Sequence, residues 1–415
     1  HVAALRLGLV VVPANTAYRE REIAHIVSDA EPAAAVVDDT GRAGWIRSAA
    51  PAAVVVSPEE LAGRPAAGPG PAGTVPLDRA RPEDPAIIGY TSGTTGVPKG
   101  AVLSHRNLLA SSESVRVAWR WTADDRLVLA LPLFHIHGLG VGLHGTLLAG
   151  ASAVLLPRFD PDAVLDAAAA HDATLFFGVP TMYARLAASP RLAELGRLRL
   201  CVSGSAPLPP AVFDRLAEGS GQRVLERYGM TETGMNVSNP YEGERRPGTV
   251  GFPLPGVELR LAEDGEIQLR GPNVFTGYWR RPEATAAAFT GDGWFRTGDI
   301  GELDPDGYLR LVGRARDLII TGGLNVYPRE VEDVLLEHPA VAEVAVAGVP
   351  DPEWGETVTA WVIPSAGRAA DADELITFAA DRLARFKCPR RVVFVTELPR
   401  NALGKVLRHE LSAPL

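Results

Sequence analysis

Short apolar runs separated by helical stretches fill the first 200 residues, and that alternation limits the fold more than any other feature of the chain. The runs read "LVVV", "AAAVV", "AAVVVS", "RLVLALP", "ASAVLLP", "ATLFFGV" and "RLCVSGS". Strands that are apolar throughout, rather than at every second position, suit sheets covered on both faces, so largely parallel sheets with helices on each side are expected. Over residues 248–313 the character changes. "VELRLAEDGEIQLRG" and "GWFRTGDIGELDPDGYLRLVG" alternate and are joined by Asp-Gly turns, which predicts antiparallel strands. After Arg314 a helix "YPREVEDVLLEHP", strands "VAEVAVAGV" and "TVTAWVIP", a helix "ADELITFAADRLARF" and a strand "RVVFVTEL" read as a small α+β domain. The expected class is therefore α/β. A large N-terminal domain of layered α/β subdomains and a barrel-like antiparallel part occupies 1–313, and a C-terminal domain occupies 317–415. A chain of 415 residues is too long for one typical core. "HVAALRLG" opens like the middle of a helix, so the chain is expected to be truncated at its start.

Composition excludes several classes. An apolar share of 46% and a charged share of 22% are those of a globular protein, and a net charge of −9 disfavours a nucleic-acid partner. Cys201 and Cys388 stand far apart with no Cys/His cluster, which fits a reduced, cytoplasmic protein. "LGVGLHGTLLAGASAVLLP" is broken by His144, Ser152 and glycines and reads as buried helix and strand, not a membrane span.

Of 41 basic residues, 38 are arginine; the lysines are Lys99, Lys387 and Lys405. Lys99 closes "YTSGTTGVPKG" and Lys405 sits in "RNALGKV", both glycine-turn contexts where an ammonium is retained against the trend. A turn crowded with Gly, Ser and Thr lets N–H groups and hydroxyls converge on phosphate oxygens, with lysine adding charge. It is not a P-loop, because Gly100 rather than Ser or Thr follows Lys99. Further along, "VSGSAPLP" ends a strand in small residues. "ERYGMTET" supplies an aromatic face, a hydroxyl and a carboxylate, "RTGDI" puts Asp299 on a turn, and "GRARD" adds an Arg/Asp pair.

In that order these motifs resemble the acyl-adenylate-forming synthetases, a family that includes acyl-CoA ligases, over essentially the whole chain. The resemblance implies ATP, Mg²⁺ and CoA as co-substrates and assigns roles to matching positions. Thr91, Ser92, Gly93, Thr94, Thr95, Gly96 and Lys99 would hold the β- and γ-phosphates. Gly204, Ser205 and Tyr228 would frame adenine, Thr231 would meet the α-phosphate, and Glu232 would bind the metal. Asp299 and Arg314 would hold the ribose, and Lys405 would bridge carboxylate and α-phosphate. The small domain would rotate about a hinge at Arg316, after which Gly322 and Gly323 would line the pantetheine path. "PRNALGK" also resembles segments modified by protein acetyltransferases, which would erase the Lys405 charge.

The stretch "LERYGMTETGMNVSNPYEGERRPGTVGFPLPGV" resembles the malonyl-CoA synthetase branch. There Arg185 with Ser205 would hold the distal carboxylate of malonate or methylmalonate, while His137 and Met230 shape the pocket. Thr181 and Arg185 lie four apart on an expected helix and so share a face. Alternatives are an aryl or medium-chain acid with Arg185 turned to solvent, and a non-catalytic nucleotide-binding homologue. "HIH" at 135–137 reads weakly as a metal pair, with no third ligand nearby.

Overall fold

Five parallel strands form one side of a seven-stranded sheet, in the spatial order Leu225–Met230, Leu200–Ser203, Leu175–Gly178, Arg126–Leu129, with Ser152–Leu155 at the edge. Antiparallel strands Gly234–Ser238 and Phe252–Pro253 extend its first edge. The computed structural model describes residues 1–63, 77–91, 98–368, 371–401 and 404–411, with Arg316 and His409 described by backbone alone.

Both faces of this sheet are covered, which is why its strands are apolar at consecutive positions. Phe177 turns to one face and packs edge-on against Trp119 and Trp121, at centroid distances of 5.4 and 5.3 Å. Its neighbour Phe176 turns to the other face, with Val128, Tyr183 and Leu216. Helices carry the expected start signals. Ser104 accepts from the Asn107 N–H and Asn107 reciprocates at the head of His105–Ala118. Asp160 caps Pro161–Ala170, with proline in the first turn.

The antiparallel reading of 248–313 corresponds to a four-stranded sheet of Glu258–Leu261, Glu266–Arg270, Phe295–Leu303 and Leu309–Arg314. Beyond it, strands Ile319–Thr321, Leu324–Val326, Val341–Asp351, Gly355–Pro364 and Arg391–Phe394 form the sheet of the small domain. Helices Pro328–Leu336 and Ala372–Ala380 close on its core.

Three expectations need correction. "LVVV" at 9–12 forms no strand; only Val11 bridges to Ile87, and Leu9 and Val10 are exposed. Ala34–Val36 and Val54–Val56 do pair in parallel, but only Ala35 and Val55 pack on the helices above them. Val36 and Val54 face outward, so this sheet is covered on one side. The helix expected over "ADELITFAADRLARF" stops at Ala380. Two further strands, Pro85–Thr91 and Lys99–Ser104, flank the Gly/Ser/Thr stretch as an antiparallel pair, with Gly277–Tyr278 added at the edge. Among the described residues no helix is long and apolar enough to cross a membrane.

Phe177 has its ring fully enclosed between two indoles, so Phe177→Ala should destabilise the large domain by about 3–5 kcal/mol, measured by urea denaturation followed through tryptophan fluorescence.

Candidate active site

The carboxyl end of strand Leu225–Met230 carries the site, because the residues along it serve three sub-sites. Tyr228 donates its hydroxyl to Asp299 Oδ2 at 2.6 Å, and Arg314 Nε meets Asp299 Oδ1 at 3.0 Å. Asp299 stands within the strand Phe295–Leu303 and not on the expected turn, as the cross-strand partner of Arg314, so register alone sets the two side by side. Burial, then the Asp299 charge, pushes the Tyr228 phenol well above its ordinary range, so it stays a donor. One wall of a candidate site is thereby fixed: a ring face, a carboxylate with both oxygens oriented, and a guanidinium.

Thr231 and Glu232 follow in the turn after the strand. The Thr231 methyl carbon lies 2.6 Å from where a Cβ on Gly89 would stand, so a side chain at 89 would push the threonine off the strand leading into the Gly/Ser/Thr loop. Glu232 is 6% exposed and accepts from the Tyr278 hydroxyl at 3.1 Å. Burial above all raises its pKa. No ion pair among the described residues includes Glu232. A dry carboxylate with no cation paired to it among the described residues fits a divalent ion such as Mg²⁺, which is commonly held by one carboxylate plus substrate phosphates. Lys99 Nζ lies 5.5 Å from the centre of the Tyr278 ring. Ser92, Gly93, Thr94, Thr95 and Gly96 lie outside the described residues; Thr91 ends the strand before them.

The other side of the candidate site centres on a residue that sequence reasoning passed over. Arg227, between Glu226 and Tyr228, is 3% exposed, and its Nε and Nη2 have no hydrogen-bond partner. Burial lowers its pKa to about 9, so the guanidinium is still charged at neutral pH. A Cβ on Gly204 would stand 2.3 Å from Arg227 Cζ. The glycine expected to admit a flat ring thus also admits this guanidinium. Ser205 follows with φ of 72°, a left-handed conformation that serine rarely adopts, and its Oγ lies 3.4 Å from His137 Nδ1. Burial, Arg227 and His135 together hold His137 well below its ordinary pKa; burial, Arg227 and Lys405 lower His135 to about 4. Both imidazoles are therefore neutral at pH 7, as a site already holding one buried cation requires. The signal for Arg227 was available as a charge inside a strand whose neighbours are all buried.

A cavity of about 960 Å³ is lined by Leu131, Phe159, Thr181, Met182, Arg185 and Gly404 among others. Thr181 and Arg185 share a face of helix Pro180–Ala187 and both line it. The Arg185 side chain is exposed, its Cζ lying 5.0 Å from the Phe159 ring centre. His137 and Met230 do not line this cavity. His137 is enclosed behind it, and Met230 packs on the cluster around Phe275. The C-terminal domain reaches the site through Gly404, whose Cβ would stand 3.2 Å from Thr181 Oγ1, so Lys405 arrives on the side of Thr181. Gly322 and Gly323 form the turn between strands Ile319–Thr321 and Leu324–Val326, where Gly322 lies against Trp354, and they do not line the cavity. Arg316 falls in the 3₁₀ turn Ala315–Asp317 that joins the domains.

If Tyr228 and Arg314 hold Asp299 for a ribose, Asp299→Asn should weaken ATP binding at least tenfold with a change of less than about 1 kcal/mol in folding stability, checked by calorimetric titration and denaturation.

Comparison with known proteins places this geometry. The AMP-binding enzyme family model matches residues 1–279 and its C-terminal domain model matches 330–405. A long-chain-fatty-acid–CoA ligase of Bacillus subtilis is 41% identical over 345 residues, 79% of this chain and 61% of the relative. A malonate–CoA ligase of Arabidopsis thaliana is 41% identical over 371 residues, 80% of this chain and 61% of the relative. The chain thus spans about three fifths of the length of these two relatives. The crystal structure of ATP-bound MatB from Rhodopseudomonas palustris superposes with a TM-score of 0.92 at 44% identity, covering 98% of this chain and 84% of that one. With both of its domains matched in order, the chain belongs to the AMP-binding enzyme family.

Proposed function

We propose that this protein joins a short dicarboxylic acid, malonate or methylmalonate, to the thiol of CoA at the expense of ATP. A carboxylate oxygen attacks the α-phosphorus and pyrophosphate leaves. The CoA thiolate then attacks the carbonyl carbon of the acyl-adenylate and AMP leaves. Asp299 and Tyr228 would position the ribose and adenine, Lys99 the outer phosphates, and Lys405 would sit between the attacking carboxylate and the α-phosphate. Mg²⁺, held by Glu232 with the phosphates, would supply charge for the departing pyrophosphate. The small domain would then turn about Arg316 to bring Gly322 and Gly323 to the thiol path.

The observation that carries the choice of acid is the unpaired guanidinium of Arg227. A buried cation is costly until an anion joins it. A diacid would supply that anion with the carboxylate that does not react, with the Ser205 hydroxyl and His137 near it. A monoacid leaves the cation bare, which favours the diacid by about 10⁴. The single methyl of methylmalonate is worth only about 1–3 kcal/mol, so both diacids fit. The largely apolar cavity favours a second reading, an aryl or medium-chain acid, in which that space holds the acyl chain. In the first reading it takes the arm of CoA.

Pyrophosphate release with malonate, methylmalonate, acetate, octanoate and benzoate separates these readings. Turnover should be confined to the two diacids and fall about 10²–10³-fold in Lys405→Ala. Arg227→Met should lose diacid turnover while gaining about 1–4 kcal/mol of folding stability, since an uncompensated buried charge is removed. Octanoate or benzoate turnover unaffected by Arg227→Met would establish the second reading, and no turnover with any acid would leave a nucleotide-binding homologue.

A further inference from the structure

We infer that Tyr278 is a positioning residue that holds Glu232 for a divalent cation and seats Lys99 beside it, joining the metal carboxylate and the phosphate-loop lysine into one rigid unit. The inference rests on the nucleotide-binding part of the proposed function. Tyr278 pairs with Ala101 across the edge of the three-stranded sheet. Residues 99 and 101 point to the same face of their strand, and a diagonal neighbour is within reach of an aromatic ring. The small side chain of Ala101 lets the ring lean over toward Lys99, 5.5 Å from its centre. The hydroxyl at the far end of the same ring donates to Glu232 Oε1 at 3.1 Å.

The ring itself is locked. Its backbone N–H donates to Thr285 Oγ1 at 2.9 Å, and its edge meets the Phe275 ring at 4.9 Å with planes 74° apart. Phe275 in turn donates its N–H to the Glu232 carbonyl at 2.8 Å. Glu232, Phe275 and Tyr278 therefore fix one another through one main-chain bond, one ring contact and one side-chain bond. A purely structural tyrosine would satisfy a buried carboxylate equally well. The role proposed here differs because the carboxylate is in no ion pair among the described residues, while the ring whose hydroxyl it holds has a lysine over its face.

Binding of ATP to native protein, Tyr278→Phe and Tyr278→Leu, measured without acid or CoA, tests this. Each is titrated calorimetrically with ATP in EDTA, then with Mg²⁺ at saturating ATP. Tyr278→Phe keeps the ring packed on Phe275 and should bind ATP in EDTA within about twofold of native, yet need about tenfold more Mg²⁺. Tyr278→Leu, without the ring face, should also weaken metal-free ATP binding by about threefold. Native-like Mg²⁺ affinity in Tyr278→Phe, or equal weakening with and without the metal, overturns the inference and leaves the nucleotide site intact. A native protein that binds no ATP in either condition overturns instead the reading on which the inference rests.

Discussion

A guanidinium enclosed without a counter-ion is the constraint around which this site is organised. Arg227 occupies a strand whose residues are buried on both faces, so no nearby surface lets it reach water. Its surroundings are those of a group awaiting an anion: a glycine where a side chain would collide, a serine held left-handed, and two imidazoles kept neutral. Each of these is locally unfavourable. Together they mark a site whose energetics close only when ligand is bound, as expected where binding energy is directed to a reacting group.

The opposite imbalance lies a few residues along the same chain. Glu232 is a buried carboxylate without a cation, separated from Arg227 by Tyr228, Gly229, Met230 and Thr231. The two charges do not neutralise one another, because the strand and the turn after it aim them at different sub-sites. Asp299 shows the contrast. It is equally buried, but Arg314 and Tyr228 satisfy it before any ligand arrives. The wall of Tyr228, Asp299 and Arg314 is thus satisfied within the protein, whereas Glu232 and Arg227 each lack a counter-charge among the described residues. Glu226, on the same strand, is a third buried acid, raised by burial to about 8, with only the Leu208 N–H bonded to its carboxyl among the described residues. Its folded pKa lies above its unfolded one, so the stability it contributes is fully present only at low pH and is lost as pH rises through about 8.

Much of this was legible in the sequence, for identifiable reasons. Consecutive apolar positions such as Phe176 and Phe177 read correctly as strands covered on both faces, and the Asp-Gly turns of 248–313 read as hairpins. The exposed Val36 and Val54 show where that inference fails, because an apolar run states only that burial is possible, not that both faces receive it. Motif residues were found through composition against local context. The rarity of lysine singled out Lys99 and Lys405, whereas Lys387 proves to be the partner of Glu330 at 2.5 Å. Arg227 was missed because arginine is the common cation here and only burial makes this one unusual. Tyr278 was missed because its role depends on pairing between strands some 180 residues apart, which no local pattern encodes.

The division of labour between the cations then has a physical basis. Arginine, planar and never deprotonated, suits the enclosed position at 227, where a lysine would shed its proton instead of carrying charge into a dry pocket. Lysine suits the positions that must follow a moving ligand. Lys99 stands at the start of a strand against a ring face, and Lys405 is carried to the site by a separate domain whose approach brings Gly404 against Thr181. Had Lys405 been built into the large domain, a second fixed cation would stand beside Arg227 and the two neutral imidazoles whether or not an anion was present.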